Sequence, residues 1–228
     1  MKWTKLIITS LLISFTTAGC AAIFKATTTY APIAIQAAGS TVAVADAQSA
    51  RNTYFLGRRV AVAILNRYPP IINETAIRYI NCVGQTIALH SEKPINHGGY
   101  HFALLKTDIP NAISCPGGLI FITTGLIEQV HTEDELAAIL AHEVAHVTHQ
   151  DGISAIKKAH WTKLLTLTSS AAAQSLGTPQ LGQMISLFEA SVGDVVQLLV
   201  VTGYTKQQEF AADEAALAYL NAAGYRPH

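Results

Sequence analysis

The stretch "AILAHEVAHVTHQ", residues 138–150, sets two histidines four positions apart, follows the first with a glutamate and then adds a third histidine. Apolar residues surround these polar ones at three- and four-residue spacing, which is typical of a helix. Upstream, Thr132 has the pattern of an N-cap and Glu135 follows it by three residues, as in a capping box. The sequence therefore predicts one helix that carries all three histidines and ends near Gly152.

Two of the histidines and the glutamate form an H-E-x-x-H arrangement. Residues four apart on a helix share a face, with Cβ atoms about 5–6 Å apart, so His142 and His146 can direct two imidazole nitrogens at one ion. Glu143 can reach a water beside that ion and act as general base, while zinc acts as a Lewis acid. Since three fixed letters also occur by chance in a chain with nine histidines, the zinc interpretation depends on a third protein ligand.

Two candidates compete for the third ligand. His149 follows His146 closely, but three histidines on one straight helix cannot surround an ion tetrahedrally, so His149 is interpreted as a surface residue or one that supports the ligands. A carboxylate from "EFAADEAA" is the alternative: Glu209 would complete a site for one Zn²⁺ per chain, and Asp213 on the same face would orient a ligand imidazole. A solvated helix face is the other interpretation of these acids, although their surroundings are apolar.

The segments before the motif predict two amphipathic helices and a small sheet. Helical spacing of apolar residues covers 49–69 and 72–92, which a Pro-Pro pair separates, and Asn73 is the expected N-cap of the second helix. "YHFALL" (100–105) has the pattern of a strand, and "NAISCPGGLIFITTG" (111–125) that of two short strands joined at Pro-Gly-Gly. We expect one of these two strands to lie beside the H-E-x-x-H helix.

Helical patterning continues after the motif. It covers 153–176, breaks at "GTPQLG" (177–182) and resumes over 183–201. Two acids interrupt the apolar run of that last segment, which is interpreted as a core helix rather than a membrane span. A final helix is predicted over 206–224. The expected fold class is α+β, mainly α-helical, with a small sheet beside the metal helix.

The N-terminal sequence predicts export. Two lysines precede an apolar run at 6–15 that is too short to span a bilayer core of ~30 Å, which is typical of a signal peptide at 1–19. The following "TTAGC" resembles a bacterial lipoprotein signal in which Cys20 carries lipid; an ordinary cleaved signal is the alternative. Residues 20–50 are interpreted as a tether and 51–228 as the folded domain.

Composition excludes some partners and leaves the cysteines open. Half of the residues are apolar, enough for a real core, and 15 basic residues balance 15 acidic ones. There is thus no net basic field to attract nucleic acid. Cys82 and Cys115 are interpreted as small buried apolar side chains, although in an exported protein they could instead pair.

The long stretch "NAISCPGGLIFITTGLIEQVHTEDELAAILAHEVAHVTHQDG", followed by "QEFAADEAA", carries a family resemblance. From about Gly57 onward the chain resembles the HtpX and CAAX-prenyl-protease type of zinc metallopeptidase, metallopeptidase family 48, in its periplasmic lipoprotein branch. The resemblance implies a zincin-like domain with zinc held by His142, His146 and Glu209. It further implies that Glu143 is the catalytic residue and that Asp213 supports the site.

The same resemblance implies a function. We expect an exported zinc endopeptidase, anchored by lipid in the bacterial periplasm with the outer membrane favoured, that cleaves unfolded or misassembled envelope proteins. An edge strand beside the site would pair with extended substrate. A chaperone-like or binding module that retains the zinc site but cleaves little is the alternative. The chain stops at "GYRPH", where relatives usually continue into further helix, and this leaves the oxyanion-stabilising group open.

Overall fold

The computed structural model describes residues 49–154, 156, 160 and 178–226. The predicted signal peptide, the lipidation site Cys20, nearly all of the tether and much of the predicted helix at 153–176 lie outside these residues. In chain order the described elements are α1 (49–67), β1 (Pro70–Ile71), α2 (Glu74–Leu89), β2 (His101–Leu105), β3 (Ala112–Cys115), β4 (Leu119–Thr123), α3 (Thr124–Ile127), α4 (Glu133–His149), α5 (Asp151–Ser154), α6 (Thr178–Gln197), a π-helical turn (Leu198–Thr202) and α7 (Lys206–Ala223).

The four strands form one mixed sheet in the order β1-β2-β4-β3. β3 and β4 are antiparallel across the Pro-Gly-Gly turn, as predicted, whereas β2 runs parallel to β4 at the centre. The short strand β1 was not predicted; it pairs antiparallel with β2, with Pro70 opposite Leu105. A proline is tolerated there because an edge strand does not need every backbone donor. β3 is the other edge, and it packs against α4.

Side chains alternate between the two faces of the sheet, so each face has its own core. In β4, Ile120 and Ile122 join a cluster with α2, α4 and α7, while Phe121 between them joins a cluster with α1 and α6. α4 and α7 pack through small buried residues, such as Ala141 and Ala212. This close approach brings the predicted carboxylates of α7 towards the histidines of α4.

Local capping largely follows the sequence. Asn73 caps α2 and Thr132 caps α4, each by accepting a hydrogen bond from a backbone N–H three residues later. Glu135 departs from the capping-box pattern, because its carboxylate accepts from the N–H of His131 rather than from that of Thr132. α4 ends at His149, and Gln150 after it has a left-handed φ of 60° that redirects the chain into α5.

α6 differs from its predicted counterpart. It begins at Thr178 and continues through Gly182, so the break expected across 177–182 is wrong for 178–182; a proline in the first turn of a helix costs no hydrogen bond. The interpretation as a core helix fits only in part: Val192 and Val195 are buried in the core, but only 17% of the most apolar window is buried. By length and composition alone, 181–202 is the one stretch of the described chain that could cross a membrane.

The two cysteines of the described chain are both free. Cys115 is fully buried at the end of β3, as expected, and burial raises the pKa of its thiol. Cys82 on α2 is exposed, so its interpretation as a buried side chain is wrong. On an amphipathic helix a buried position and an exposed position can be neighbours in the sequence, and composition does not show which of the two a cysteine occupies.

Candidate metal centre

Two helices bring three potential ligands together. His142 and His146 project from α4, and Glu209 comes from the first turn of α7. The Nε2 atoms of the two histidines are 3.0 Å apart. Glu209 Oε2 lies 3.2 Å from His142 Nε2 and 3.7 Å from His146 Nε2. Three ligands at about 2.0–2.1 Å from a tetrahedral zinc would be separated by about 3.3 Å, so these spacings fit such an ion.

The hydrogen bonds behind the histidines fix which ring nitrogen is available. His142 Nδ1 is 2.9 Å from Asp213 Oδ1, and His146 Nδ1 is 2.8 Å from Asp151 Oδ2. An ionised carboxylate only accepts hydrogen bonds, so the network assigns the proton of each neutral imidazole to Nδ1. Both Nε2 lone pairs then face each other and the Glu209 carboxylate. Three converging acceptors require a cation between them, and two imidazoles with a carboxylate are a donor set suited to zinc.

Asp151 was not predicted from the sequence, although it completes the support of the site. Its side chain is buried, and its second oxygen accepts a hydrogen bond from Gln208 Nε2 at 3.0 Å. Gln208 precedes Glu209 in α7, so this contact also ties the two ligand helices together. The available signal was a carboxylate next to the predicted end of the helix near Gly152, but only the left-handed turn at Gln150 directs Asp151 back to His146.

Asp213 lies where the sequence placed it, on the same face of α7 as Glu209 and in contact with His142. The two supporting carboxylates differ in environment, because the Asp213 side chain is 65% exposed whereas that of Asp151 is 10% exposed. Water competes with the first contact far more than with the second. We therefore expect the pair formed by Asp151 and His146 to be the more rigid of the two.

Glu143 sits beside the ligands in a buried position. It is 8% exposed and lines the same cleft as the three ligands. Burial raises the pKa of its carboxyl group, and the nearby imidazoles of His146 and His142 oppose that rise. A carboxyl group whose pKa is moved towards neutrality suits a residue that accepts a proton and then returns it.

Tyr204 is a second residue that the sequence did not single out. Its ring stacks on the imidazole of His146, with centroids 4.0 Å apart and planes 25° apart. Its hydroxyl is buried near that of Ser114 on β3; burial raises the pKa of Tyr204, and the contact with Ser114 opposes that rise. Stacking holds the His146 ring against rotation, and no sequence pattern marks a tyrosine in the loop before α7.

Three further histidines of the described chain lie apart from the three ligands. His149 Nδ1 is 4.0 Å from Asp151, so His149 belongs near the supporting carboxylate and not among the ligands. His160 Nδ1 lies 3.5 Å from Asp194 of α6. His131 uses its backbone N–H at the start of α4.

A cleft of about 550 Å³ opens over the site. The edge strand β3 forms one wall through residues 111–114, and the apolar side chains of Leu198 and Leu199 from the π-helical turn contribute on another side. A cleft walled by an unpaired strand edge suits an extended peptide.

The fold and the arrangement of His142, His146 and Glu209 define a zincin-like α+β domain, which confirms the predicted fold class. The model of Peptidase family M48 matches residues 75–228. The chain therefore belongs to peptidase family M48, a family of metallopeptidases, as its motifs indicated.

Curated relatives agree with this assignment. The beta-barrel assembly-enhancing protease of Escherichia coli K12 is 26% identical over 193 residues, which cover 83% of this chain and 37% of the relative. The metalloprotease LoiP of the same organism is 28% identical over 147 residues, 64% of this chain and 52% of the relative. The mitochondrial metalloendopeptidase OMA1 of Schizosaccharomyces pombe is 29% identical over 125 residues, 55% and 34% of the two chains. The chain thus spans little more than a third of the first of these relatives.

Proposed function

We propose that this chain is a zinc-dependent metalloendopeptidase that cleaves extended segments of unfolded or misassembled polypeptides. The observation that carries the proposal is the convergence of three acceptors, His142, His146 and Glu209, next to the buried carboxyl group of Glu143 in one open cleft. Membership of a metallopeptidase family supports the same conclusion.

Each residue of the site has a separate role in the proposed reaction. His142, His146 and Glu209 would hold the zinc, which supplies Lewis acidity to polarise the scissile carbonyl and to acidify water. Glu143 accepts a proton from the attacking water and returns it to the amine of the leaving peptide. Asp151 keeps the imidazole of His146 in the tautomer and orientation that binding requires.

The substrate class follows from β3. Its outer edge is free of strand neighbours in the described sheet, and residues 111–114 line the cleft, so an extended peptide can add there as a further strand. Backbone pairing gives affinity with little dependence on side chains, which favours unfolded chains over one defined sequence. A folded protein pairs most of its backbone internally and so offers few extended segments that could add to β3.

We further propose that the chain works in the bacterial envelope, exported by residues 1–19 and held by lipid at Cys20, with the outer membrane favoured. The N-terminal sequence supports this, and so does the similarity to a protease that enhances beta-barrel assembly and to LoiP. The partners in this proposal are a polypeptide substrate and a membrane, with no nucleic acid.

The test is cleavage of a permanently unfolded protein by the zinc-loaded full chain and by Glu143→Gln. We expect Glu143→Gln to lower kcat/KM at least a hundredfold, since a positioned general base contributes about 10²–10⁴-fold, while the zinc content stays at one per chain. Glu214→Gln is the matched control, because this exposed acid follows Asp213 on α7 but contacts none of the ligands. Equal cleavage by wild type and Glu143→Gln would contradict the peptidase proposal. Together with retained substrate binding, it would favour the chaperone-like alternative.

A further inference from the structure

The exposed face of α1 carries only positive charge. Arg51, Arg58 and Arg59 are exposed on it, and the sequence from 47 to 73 contains no acidic residue. The chain as a whole is neutral, so this face is balanced by acids elsewhere. Nine of the 15 acidic residues fall within 128–151 and 209–214, the segments around α4 and α7.

Exposed apolar side chains share the face with these arginines. Phe55 is 47% exposed and Val62 is 44% exposed, and both follow an arginine on the same face by four residues. The guanidinium groups lie over aromatic rings: Arg51 is 5.8 Å from the centroid of Phe55, and Arg58 is 5.6 Å from that of Tyr54. Side chains with an apolar body and a cationic or polar tip are the ones that settle at a membrane interface.

α6 extends this surface with a second apolar helix. Arg59 of α1 and Glu189 of α6 form an exposed ion pair at 3.2 Å, so the two helices are neighbours at the surface. Ile185 is 54% exposed, and the window within 181–202 has a mean hydropathy of 1.7. Glu189 is paired with Arg59 and Asp194 lies beside His160, so both acids of α6 are engaged with basic side chains of the protein.

The exposed apolar side chains of α6 and α1 form a patch of the kind that marks an interaction surface. Val192 and Val195 of α6 are buried in the core beside the sheet, so α6 cannot leave the domain to cross a bilayer while that packing persists. It can instead lie in the plane of the membrane surface, as interfacial helices do. The arginines of α1 then determine which surface, since they attract anionic headgroups.

We propose that the exposed faces of α1 and α6 dock the folded domain onto the surface of an anionic lipid bilayer. The contact is separate from the lipid proposed at Cys20 and does not depend on peptidase activity. α6 continues into the π-helical turn, whose Leu198 and Leu199 line the metal cleft. The proposed docking surface and the cleft are therefore joined through one helical segment.

The experiment measures binding to vesicles by flotation. The full chain is expressed with Cys20→Ser, so that no lipid can be attached there, and the exported soluble form is mixed with phosphatidylcholine vesicles with or without 30% phosphatidylglycerol, a composition chosen to give a negative surface. We expect binding to the anionic vesicles that weakens with salt. Each arginine near such a surface contributes about fivefold, so Arg51→Ala with Arg58→Ala should lower the partition coefficient on the order of twentyfold.

Three further variants separate docking from general effects. Ile185→Ser on α6 should also weaken binding severalfold, whereas Arg78→Ala and Leu89→Ser should not; these two residues are exposed on α2, away from both helices of the proposed surface. Circular dichroism checks that each variant is folded. Absence of binding to anionic vesicles, or an equal loss in the α2 variants, would overturn the proposal. So would self-association that Ile185→Ser abolishes without any vesicle binding, since this would assign the face to a second copy.

Discussion

Replacing Asp151 by asparagine should weaken zinc binding more than the same change at Asp213. Both oxygens of Asp151 accept hydrogen bonds, one from His146 Nδ1 at 2.8 Å and one from Gln208 Nε2 at 3.0 Å. An asparagine offers one acceptor and one donor in place of two acceptors. Either orientation of Asp151→Asn therefore loses one bond and turns a donor towards another donor in a buried position.

The magnitude follows from burial. Losing the partner that orients a ligand histidine lowers metal affinity about 10–100-fold, or about 1.4–2.7 kcal/mol, and the Asp151 side chain is shielded enough for the upper half of that range. Asp213 is 65% exposed, and the amide oxygen of Asp213→Asn can still accept from His142. Water also replaces part of that contact, so we expect less than about a fivefold loss there.

The assay is competition for zinc against a chromophoric chelator at fixed pH, with circular dichroism to confirm that each variant is folded. Glu214→Gln serves as the matched control on α7, and it should bind zinc like the wild type. Kd should rise most for Asp151→Asn, less for Asp213→Asn and not at all for the control. If Asp213→Asn weakens binding as much as Asp151→Asn or more, the argument from burial is wrong.

Two further predictions concern stability. Gly57→Ala should destabilise the fold by at least about 3 kcal/mol, because the added Cβ would lie 1.6 Å from the backbone oxygen of Pro116. Gly193→Ala should instead stabilise α6 by up to about 1 kcal/mol, because its Cβ meets nothing within 4 Å. Urea unfolding measures the change in the free energy of unfolding for both variants, and equal effects would refute the packing of α1 on the turn between β3 and β4. Burial raises the pKa of Tyr100 from 10.0 to about 12. The stability that the neutral phenol contributes to the folded state is therefore complete below pH 10 and is lost as the pH rises through 12. The free energy of unfolding should fall less between pH 9 and pH 12 in Tyr100→Phe than in the wild type, by up to about 2–3 kcal/mol, as measured by urea unfolding at the two pH values. An unchanged pH dependence in Tyr100→Phe would contradict this prediction.

Much of the fold could be predicted because its signals are local. The caps at Asn73 and Thr132 involve residues within one turn of the chain, and the Pro-Gly-Gly turn between β3 and β4 joins neighbouring strands. The parallel pairing of β2 with β4 could not be predicted, since it depends on which strand edges meet after α2 has packed. The exposure of Cys82 and of α6 is likewise a property of the assembled layers.

The candidate site also combines features set by local sequence with features set by long-range packing. The sequence by itself determined that His142 and His146 share a helix face beside Glu143, because helix geometry alone makes residues four apart neighbours. Only the tertiary structure decided that Glu209 converges on them, that the left-handed turn after α4 returns Asp151 to His146, and that Tyr204 stacks on the same ring. Those contacts join segments far apart in the chain, and their distances are set by how closely the alanines of α4 and α7 allow the two helices to approach.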